Sequence, residues 1–145
     1  MIGTALEIAW DAHKGQTDKA GNPYIRHPMT VASSMDTEEE IAAALLHDVV
    51  EDSEYTFEDL QARGIPETVL DTLRLLTHDP EEDYFSYVRK IRANPIAMKV
   101  KLADLEHNSR LDRLPEVTEK DLERLEKYKK AREILLDSAA DAGKG

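Results

Sequence analysis

A short apolar stretch in the first half of the chain concentrates side chains that bind metals or transfer protons. It reads AAALLHDVVED, from Ala42 to Asp52. On a helix at about 100° per residue, aliphatic side chains fill one half of its surface, while one imidazole and three carboxylates occupy the other. This polar half contains no Lys or Arg, and carboxylates so close together repel one another unless a positive charge lies among them. A divalent metal ion is the simplest source of that charge.

The residues alone leave two interpretations of this stretch open. His47 and Asp48 can both reach one metal ion that lies between their positions on the helix. Alternatively, the acids are simply solvated, because Glu51 and Asp52 fall in the last turn of the predicted helix. Carboxylates at a helix C-terminus oppose the helix dipole. An arrangement that costs stability is mild evidence for function.

Two further residues are candidates for the same kind of site. His27 precedes Pro28, which restricts it to extended geometry, and a loop histidine is more often a surface residue than a ligand. Asp104 lies in the otherwise apolar segment KVKLADLEHNSR, where a buried carboxylate needs a partner. Asp104 therefore either pairs with Lys101 or Arg110 or binds a metal ion.

The other three histidines have weaker cases. His13 ends a predicted helix, where a cationic side chain is favourable in any event. His78 lies in a loop of acidic residues, and simple packing accounts for His107. None of them is a predicted ligand.

The composition limits both the metal and the partners. The chain has no cysteine, so His and carboxylate groups must hold any metal, which favours Mn²⁺, Fe²⁺, Mg²⁺ or Zn²⁺. The formal net charge of −11 argues against nucleic acid or an anionic membrane as the main partner, since both need a basic surface. A small anionic substrate needs only a local cluster of Lys and Arg. With no membrane span or signal peptide in the sequence, we expect a cytoplasmic protein.

The elements that position these residues are helices. Apolar periodicity, caps and breakers predict an all-α fold of about seven or eight helices, in one domain over residues 1–140 with a flexible tail at 141–145. The predicted helices are Ile2–His13, Pro28–Ser34, one from the Thr37–Glu40 capping box through Asp52, Phe57–Arg63, one from Pro66, Tyr84–Ala93, Ile96–Leu111, and one from Thr118 to about Ala140.

Two of these helices carry expectations about packing. In the first helix we expect one face to hold Ile2, Leu6, Ala9 and Trp10. In the last helix we expect a buried stripe of Leu122, Leu125, Tyr128, Leu135 and Leu136. That long helix can dock on the domain or on a second subunit, so the sequence also allows a homo-oligomer.

Four segments together resemble one known family. They are AHKGQTDKAGNPYIRHP, LLHDVVED, the helix opening from Tyr84 to Tyr87, and VKLADLEHNSRL. In order and spacing they are similar to the hydrolase domain of RelA/SpoT homologues, which are HD-superfamily phosphohydrolases acting on the alarmone (p)ppGpp. The similarity runs over about residues 3–136 and leaves no room for synthetase or regulatory domains. We therefore expect a stand-alone small alarmone hydrolase.

The resemblance implies a metal site and a reaction. Its metal ligands, usually holding Mn²⁺, fall on His27, His47, Asp48 and Asp104. Its catalytic acidic pair, which positions or activates the attacking water, falls on Glu51 and Asp52. The implied reaction is metal-assisted hydrolysis, in which the ion polarises a phosphoryl oxygen and lowers the pKa of a bound water while an acid acts as general base. The 3′-pyrophosphate then leaves the nucleotide ribose as PPi.

The resemblance also implies a nucleotide pocket, with two departures. The residues that match its substrate-binding positions are Lys19, Tyr24, Lys101 and Asn108. Asp18 stands where the family has a basic residue, and Leu105-Glu106 replaces another. An acid near an anionic nucleotide weakens its binding by on the order of 1–3 kcal/mol if buried and by far less if exposed.

These departures keep other functions open. Within enzymes, the alternatives are hydrolysis of an adenine alarmone or of the 2′-phosphate of NADPH. Outside enzymes, the alternative is a catalytically weak HD domain that senses a nucleotide or packs against a partner.

Overall fold

The computed structural model describes residues 1–110 and 116–137. In these two ranges the chain forms nine helical segments and no strand, which confirms the predicted all-α class. The helices are α1 (Ile2–His13), α2 (Arg26–Ala32), α3 (Glu38–Leu46), α4 (Val49–Asp52), α5 (Phe57–Ala62), α6 (Glu67–Leu76), α7 (Tyr84–Ile91), α8 (Pro95–Asn108) and α9 (Glu119–Leu136).

Most predicted helix boundaries agree with these to within one or two residues. The predicted helix ends at Leu111 and Ala140, and the predicted tail at 141–145, lie outside the described residues. None of the described helices is long and apolar enough to cross a membrane.

Helix α3 lies at the centre of the bundle. All five residues from Ala42 to Leu46 are buried, and α3 packs against α1, α2, α6 and α8. A helix that is apolar around its whole circumference is one that neighbours surround. Ala43 and Ala44, which precede His47 and Asp48 by one helical turn, are therefore core residues.

The prediction of one continuous helix through Asp52 is wrong. Helix α3 ends at Leu46, His47 and Asp48 form a turn, and α4 begins at Val49. The break places Glu51 and Asp52 in the first turn of α4 instead of the last turn of α3. Acids are favoured at that end of a helix, so the conflict with the helix dipole does not arise.

The expected extended geometry of His27 is also wrong. Helix α2 begins at Arg26, so His27 and Pro28 lie in its first turn. Proline is tolerated there because the first N–H groups of a helix have no intrahelical acceptor to lose. This turn directs a buried His27 side chain from a helix rather than from a loop.

The expected faces of the first and last helices are partly wrong. Helix α1 buries Ala5 and Ile8, whereas 60% of Trp10 is exposed, because the small residues allow close packing on α3. Helix α9 buries Leu135 as expected, but 52% of Leu122 is exposed. Helix α6 buries Val69, Leu73 and Leu76, and helix α7 buries Val88 and Ile91.

The capping box that starts α3 gives a prediction for stability. The Thr37 hydroxyl accepts the Glu40 N–H at 3.2 Å, and the Glu40 carboxylate accepts the Thr37 N–H at 3.3 Å. We expect Thr37→Ala to lower the free energy of unfolding by about 1 kcal/mol in chemical denaturation. The control is Ser34→Ala at a nearby exposed position, where a change below about 0.5 kcal/mol is expected. Equal stability of the two variants would contradict the capping role.

Candidate metal centre

The four predicted ligands come from three parts of the fold and meet at one place. His27 lies on α2, His47 and Asp48 form the turn after α3, and Asp104 lies on α8. One potential ligand atom from each residue lies within 4.8 Å of the other three. His27 and Asp104, separated by 77 residues in sequence, approach to 2.7 Å between Nε2 and Oδ1.

A backbone carbonyl sets the orientation of His47. Its Nδ1 lies 2.5 Å from the carbonyl oxygen of Ala44. A carbonyl oxygen only accepts hydrogen bonds, so Nδ1 carries a proton and Nε2 faces the cluster, 3.0 Å from Asp48 Oδ2 and 3.3 Å from Asp104 Oδ1. Such a contact fixes the tautomer of a metal-binding histidine.

The charges around His47 favour a cation at this place. Burial would lower the pKa of His47, but the negative charge of Asp48 and the hydrogen bond that Asp104 accepts raise it well above its usual value. Two carboxylates thus stabilise a proton on the nitrogen that would otherwise bind a metal. A metal ion and a proton compete for this nitrogen, as at other histidine sites.

His107 orients His27, a role that packing alone does not describe. The two Nδ1 atoms are 2.7 Å apart, and the rings stack with centroids 4.9 Å apart and an angle of 16° between their planes. Both side chains are buried. The expectation that His107 is simple packing is therefore wrong. The available sequence signal is its position three residues after Asp104 on α8, which puts both on one face.

Asp104 uses its two oxygens for different partners. Oδ2 accepts a hydrogen bond from Lys101 Nζ at 3.1 Å, while Oδ1 faces the two histidines and accepts from Asn108 Nδ2 at 3.0 Å. Burial would raise the pKa of Asp104, but the charge of Lys101 and the histidine contacts hold it well below its usual range. The ion pair and the metal site, open alternatives in the sequence, are compatible in the structure.

Tyr24 holds the fourth ligand. Its hydroxyl donates to Asp48 Oδ2 at 2.5 Å. Burial and the Asp48 charge raise the pKa of Tyr24 far above 10, so the hydroxyl remains a donor. Burial would raise the pKa of Asp48, but the positive charge and hydrogen bond of His47 lower it to about 2. Asp48 is therefore a carboxylate over the whole physiological range.

Two cavities flank the cluster. The larger, of about 340 Å³, is lined by His27 together with the predicted substrate residues Lys19, Tyr24 and Asn108. The smaller, of about 160 Å³, is lined by His47, Asp48, Asp104, Glu51 and the predicted substrate residue Lys101. The structure thus brings three of the four predicted substrate residues together and places Lys101 on the other side of the cluster.

The two predicted catalytic acids differ in their surroundings. Glu51 lines the smaller cavity, and its carboxylate accepts the backbone N–H of His78. Partial burial raises the pKa of Glu51, and the charges of Asp48 and Asp52 add to this. Partial loss of water around the carboxylate and the Asp48 charge also raise the pKa of Asp52, whose backbone carbonyl accepts from Gln16 Nε2 at 2.8 Å. Among the described residues that line the two cavities, Glu51 is present and Asp52 is not.

Asp18 and Glu106, the two acids that replace basic residues of the family, have different surroundings. Asp18 lines the larger cavity. Its Oδ1 accepts hydrogen bonds from the backbone N–H groups of Ala20 and Asn22, both at 2.9 Å, and these bonds stabilise the loop that contains Asp18. Glu106 is on the surface of α8 with 75% of its side chain exposed, 3.9 Å from Arg110. Glu106 is absent from the described lining of either cavity.

Known proteins resemble this chain in sequence and in fold. The family model of the HD domain matches residues 5–135. The chain belongs to the HD domain family. Membership implies a divalent metal ion, and among the described residues the group that could hold one is His27, His47, Asp48 and Asp104.

Curated relatives of this HD domain are much longer proteins. It is 38% identical to a guanosine-3′,5′-bis(diphosphate) 3′-pyrophosphohydrolase of Haemophilus influenzae over 117 residues, covering 71% of this chain and 17% of the relative. It is 37% identical to the bifunctional (p)ppGpp synthase/hydrolase SpoT of Escherichia coli K12, covering 73% and 17%. A GTP pyrophosphokinase of Streptomyces coelicolor is 35% identical, with 93% and 16% covered. The chain therefore spans about a sixth of the length of these relatives.

A solved structure shares the fold over almost the whole chain. It is that of a metazoan orthologue of SpoT, which hydrolyses ppGpp and plays a role in starvation responses. The TM-score is 0.74 at 26% sequence identity, over 94% of this chain and 85% of that one. Together with the curated relatives, it confirms the resemblance to RelA/SpoT homologues.

The contact between His107 and His27 gives a prediction for metal affinity. We expect His107→Phe to weaken Mn²⁺ binding by about 10–100-fold, because His27 loses the hydrogen bond that holds its ring. Affinity is measured by competition with a fluorescent chelator. Leu105→Val serves as control, since it alters the core packing of α8 without removing a hydrogen bond of the cluster. If His107→Phe binds Mn²⁺ like the wild type, the orienting role is wrong.

Proposed function

We propose that this HD domain is a metal-dependent nucleotide pyrophosphohydrolase that removes the 3′-pyrophosphate from alarmones of the (p)ppGpp type. The observation that carries the proposal is the convergence of two imidazoles and two carboxylates beside Glu51, at the junction of two cavities. The relatives from Haemophilus influenzae and Escherichia coli, named for ppGpp hydrolysis, support the same reaction.

The proposed cofactor is one Mn²⁺ ion held by His27, His47, Asp48 and Asp104. Two nitrogen and two oxygen donors without a thiolate suit a hard or borderline divalent ion. When bound, such an ion supplies Lewis acidity to a phosphoryl group and to water. The contacts from Ala44 and His107 to the outer nitrogens leave both Nε2 atoms directed at the cluster.

Glu51 is the proposed general base. Its carboxylate borders the smaller cavity, and its raised pKa suits a group that takes a proton from water near neutral pH. The His78 N–H limits the rotation of the carboxylate. Asp52, in the same turn of α4, is proposed to orient the attacking water.

The proposed bond changes are those of phosphoester hydrolysis. Water adds to the phosphorus attached to the ribose 3′ oxygen and loses a proton to Glu51. The bond between that phosphorus and the 3′ oxygen breaks. The 3′ oxygen keeps the bonding electrons and gains a proton from solvent, while Glu51 returns its proton to solvent, so pyrophosphate and a 3′-hydroxyl result.

The larger cavity is the proposed nucleoside side. Its volume of about 340 Å³ is within the range of small-molecule pockets. Tyr24 and Tyr128 line it with aromatic rings, and Lys19 and Arg124 can pair with phosphate groups. Asn108, already bonded to Asp104, links this side to the metal cluster.

A nucleotide sensor is the second candidate function, and Asp18 is the observation that favours it. A carboxylate in the lining of the larger cavity reduces its positive potential, which weakens the binding of a polyanionic substrate. For the same reason an adenine alarmone and the 2′-phosphate of NADPH are alternative substrates. A cytoplasmic location and a homo-oligomeric state remain predictions from the sequence.

Turnover with Mn²⁺ tests the proposed function. We expect the protein to release PPi from ppGpp, with ppApp, NADPH and common nucleotides assayed in parallel for PPi and Pi. Asp48→Ala should lose both metal and activity. Glu51→Gln should retain the metal but lose activity by about 10²-fold or more, because it cannot accept a proton. Glu54→Gln, an exposed acid near α4, is the matched control and should remain active.

Two outcomes would overturn the assignment. Absence of PPi and Pi release from every substrate would exclude the enzyme and leave the sensor, which binding of the same nucleotides then tests. Full activity of Glu51→Gln would exclude Glu51 as the base.

A further inference from the structure

Two lysines line the smaller cavity, and the four predicted metal ligands do not account for both of them. Lys101 from α8 and Lys127 from α9 both line it. Their ammonium groups lie 5.8 and 4.1 Å from the centroid of the same ring, that of Tyr84. Two like charges near one ring repel each other, and an anion between them would remove that cost.

Within the described ranges, the ammonium group of Lys127 lies at the smaller cavity and not against a carboxylate. The formal net charge is −11, yet no carboxylate lies within ion-pair distance of Lys127 in the part of the chain that the structure describes. Glu123 lies four residues earlier on α9, the usual spacing for a helical ion pair. The ammonium group instead lies over Tyr84 at the cavity.

Lys101 is directed inward and keeps donors for a ligand. Only 12% of its side chain is exposed, and its ammonium donates to Asp104 Oδ2 at 3.1 Å. An ammonium group carries three N–H donors, and this contact uses one. Lys101 therefore contacts both the predicted ligand Asp104 and the smaller cavity.

The hydroxyl of Tyr84 is a second, independent indication of a ligand. It is buried and has no hydrogen-bond partner among the described residues. Leaving a buried hydroxyl unsatisfied costs about 1–3 kcal/mol, so such groups are exceptions that need an explanation. Tyr84 lines the smaller cavity, and an anionic oxygen there would accept the missing hydrogen bond.

The size and position of the cavity limit the ligand. A volume of about 160 Å³ is below the range of pockets for larger organic ligands, which favours a compact anion. Glu51 and Asp104 border the same cavity, so its contents lie next to the proposed site of bond cleavage. Tyr24 and Asn108 line the other cavity.

We infer that Lys101, Lys127 and Tyr84 form a binding site for the pyrophosphate group that the reaction releases. The inference rests on the proposed function, because that reaction supplies pyrophosphate at this place. The nucleoside then lies on the Tyr24 side of the cluster, and the leaving group lies on the Tyr84 side.

Direct binding of inorganic pyrophosphate tests this site without turnover. Isothermal titration calorimetry is performed on the full chain in excess Mn²⁺, with wild type, Lys127→Met and Tyr84→Phe. Lys129→Met, at an exposed position two residues further along α9, is the matched control. We expect Lys127→Met to weaken pyrophosphate binding by about fivefold to tenfold and Tyr84→Phe by about threefold. Guanosine binding should not change in any variant.

Several results would overturn the site. They are no pyrophosphate binding by the wild type, equal affinity in all four proteins, or an equal loss of guanosine affinity in Lys127→Met, which would place Lys127 on the nucleoside side. Loss of pyrophosphate binding in Asp48→Ala combined with normal binding in Lys127→Met would assign the anion to the metal ion alone. Failure of the proposed function appears separately, as absent hydrolysis by a wild type whose pyrophosphate binding still depends on Lys127.

Discussion

The buried carboxylate of Asp104 is the group on which the centre depends. Its Oδ1 lies 2.7 Å from His27 and 3.3 Å from His47, and its Oδ2 lies 3.1 Å from Lys101. An unpaired buried carboxylate costs several kcal/mol. Helix α2, the turn after α3 and helix α8 must therefore stay together to keep Asp104 paired. The same contacts that create a metal site also connect the helices packed around α3.

Local charge, rather than net charge, determines what this centre can do. A chain with a formal net charge of −11 is a poor partner for polyanions as a whole. Within the centre, however, Asp48 and Asp104 each have a specific cationic or hydrogen-bonding partner, and Lys101 and Lys127 line the adjoining cavity. A divalent ion held by the four predicted ligands would add further positive charge. The centre can thus accept an anionic phosphoryl group in an otherwise acidic protein.

The sequence predicted the chemistry of the site better than its geometry. The sequence indicated His47 and Asp48 as site residues because acids and an imidazole interrupt an apolar run. It did not indicate the helix break at this pair, since the apolar pattern continues across it through Leu45, Leu46, Val49 and Val50. His27 and Asp104 were predicted as ligands only through the family resemblance, because a contact across 77 residues has no local signal. The contact of His107 with His27 was missed for the same reason. The exposed side chain of Trp10 shows that the buried face of a helix cannot be assigned without knowing which helices pack against it.

The hydrogen bonds of Asp18 reduce its expected effect on the binding of an anionic nucleotide. Its carboxylate accepts two backbone N–H groups of its own loop, and such hydrogen bonds stabilise the negative charge where it is. This charge is thus partly compensated and held in the loop, while Lys19 lies beside it in the same cavity lining. Glu106 is in solvent, where screening makes its effect small. Asp18 and Glu106 are therefore expected to weaken the binding of a guanine alarmone less than the sequence alone suggests.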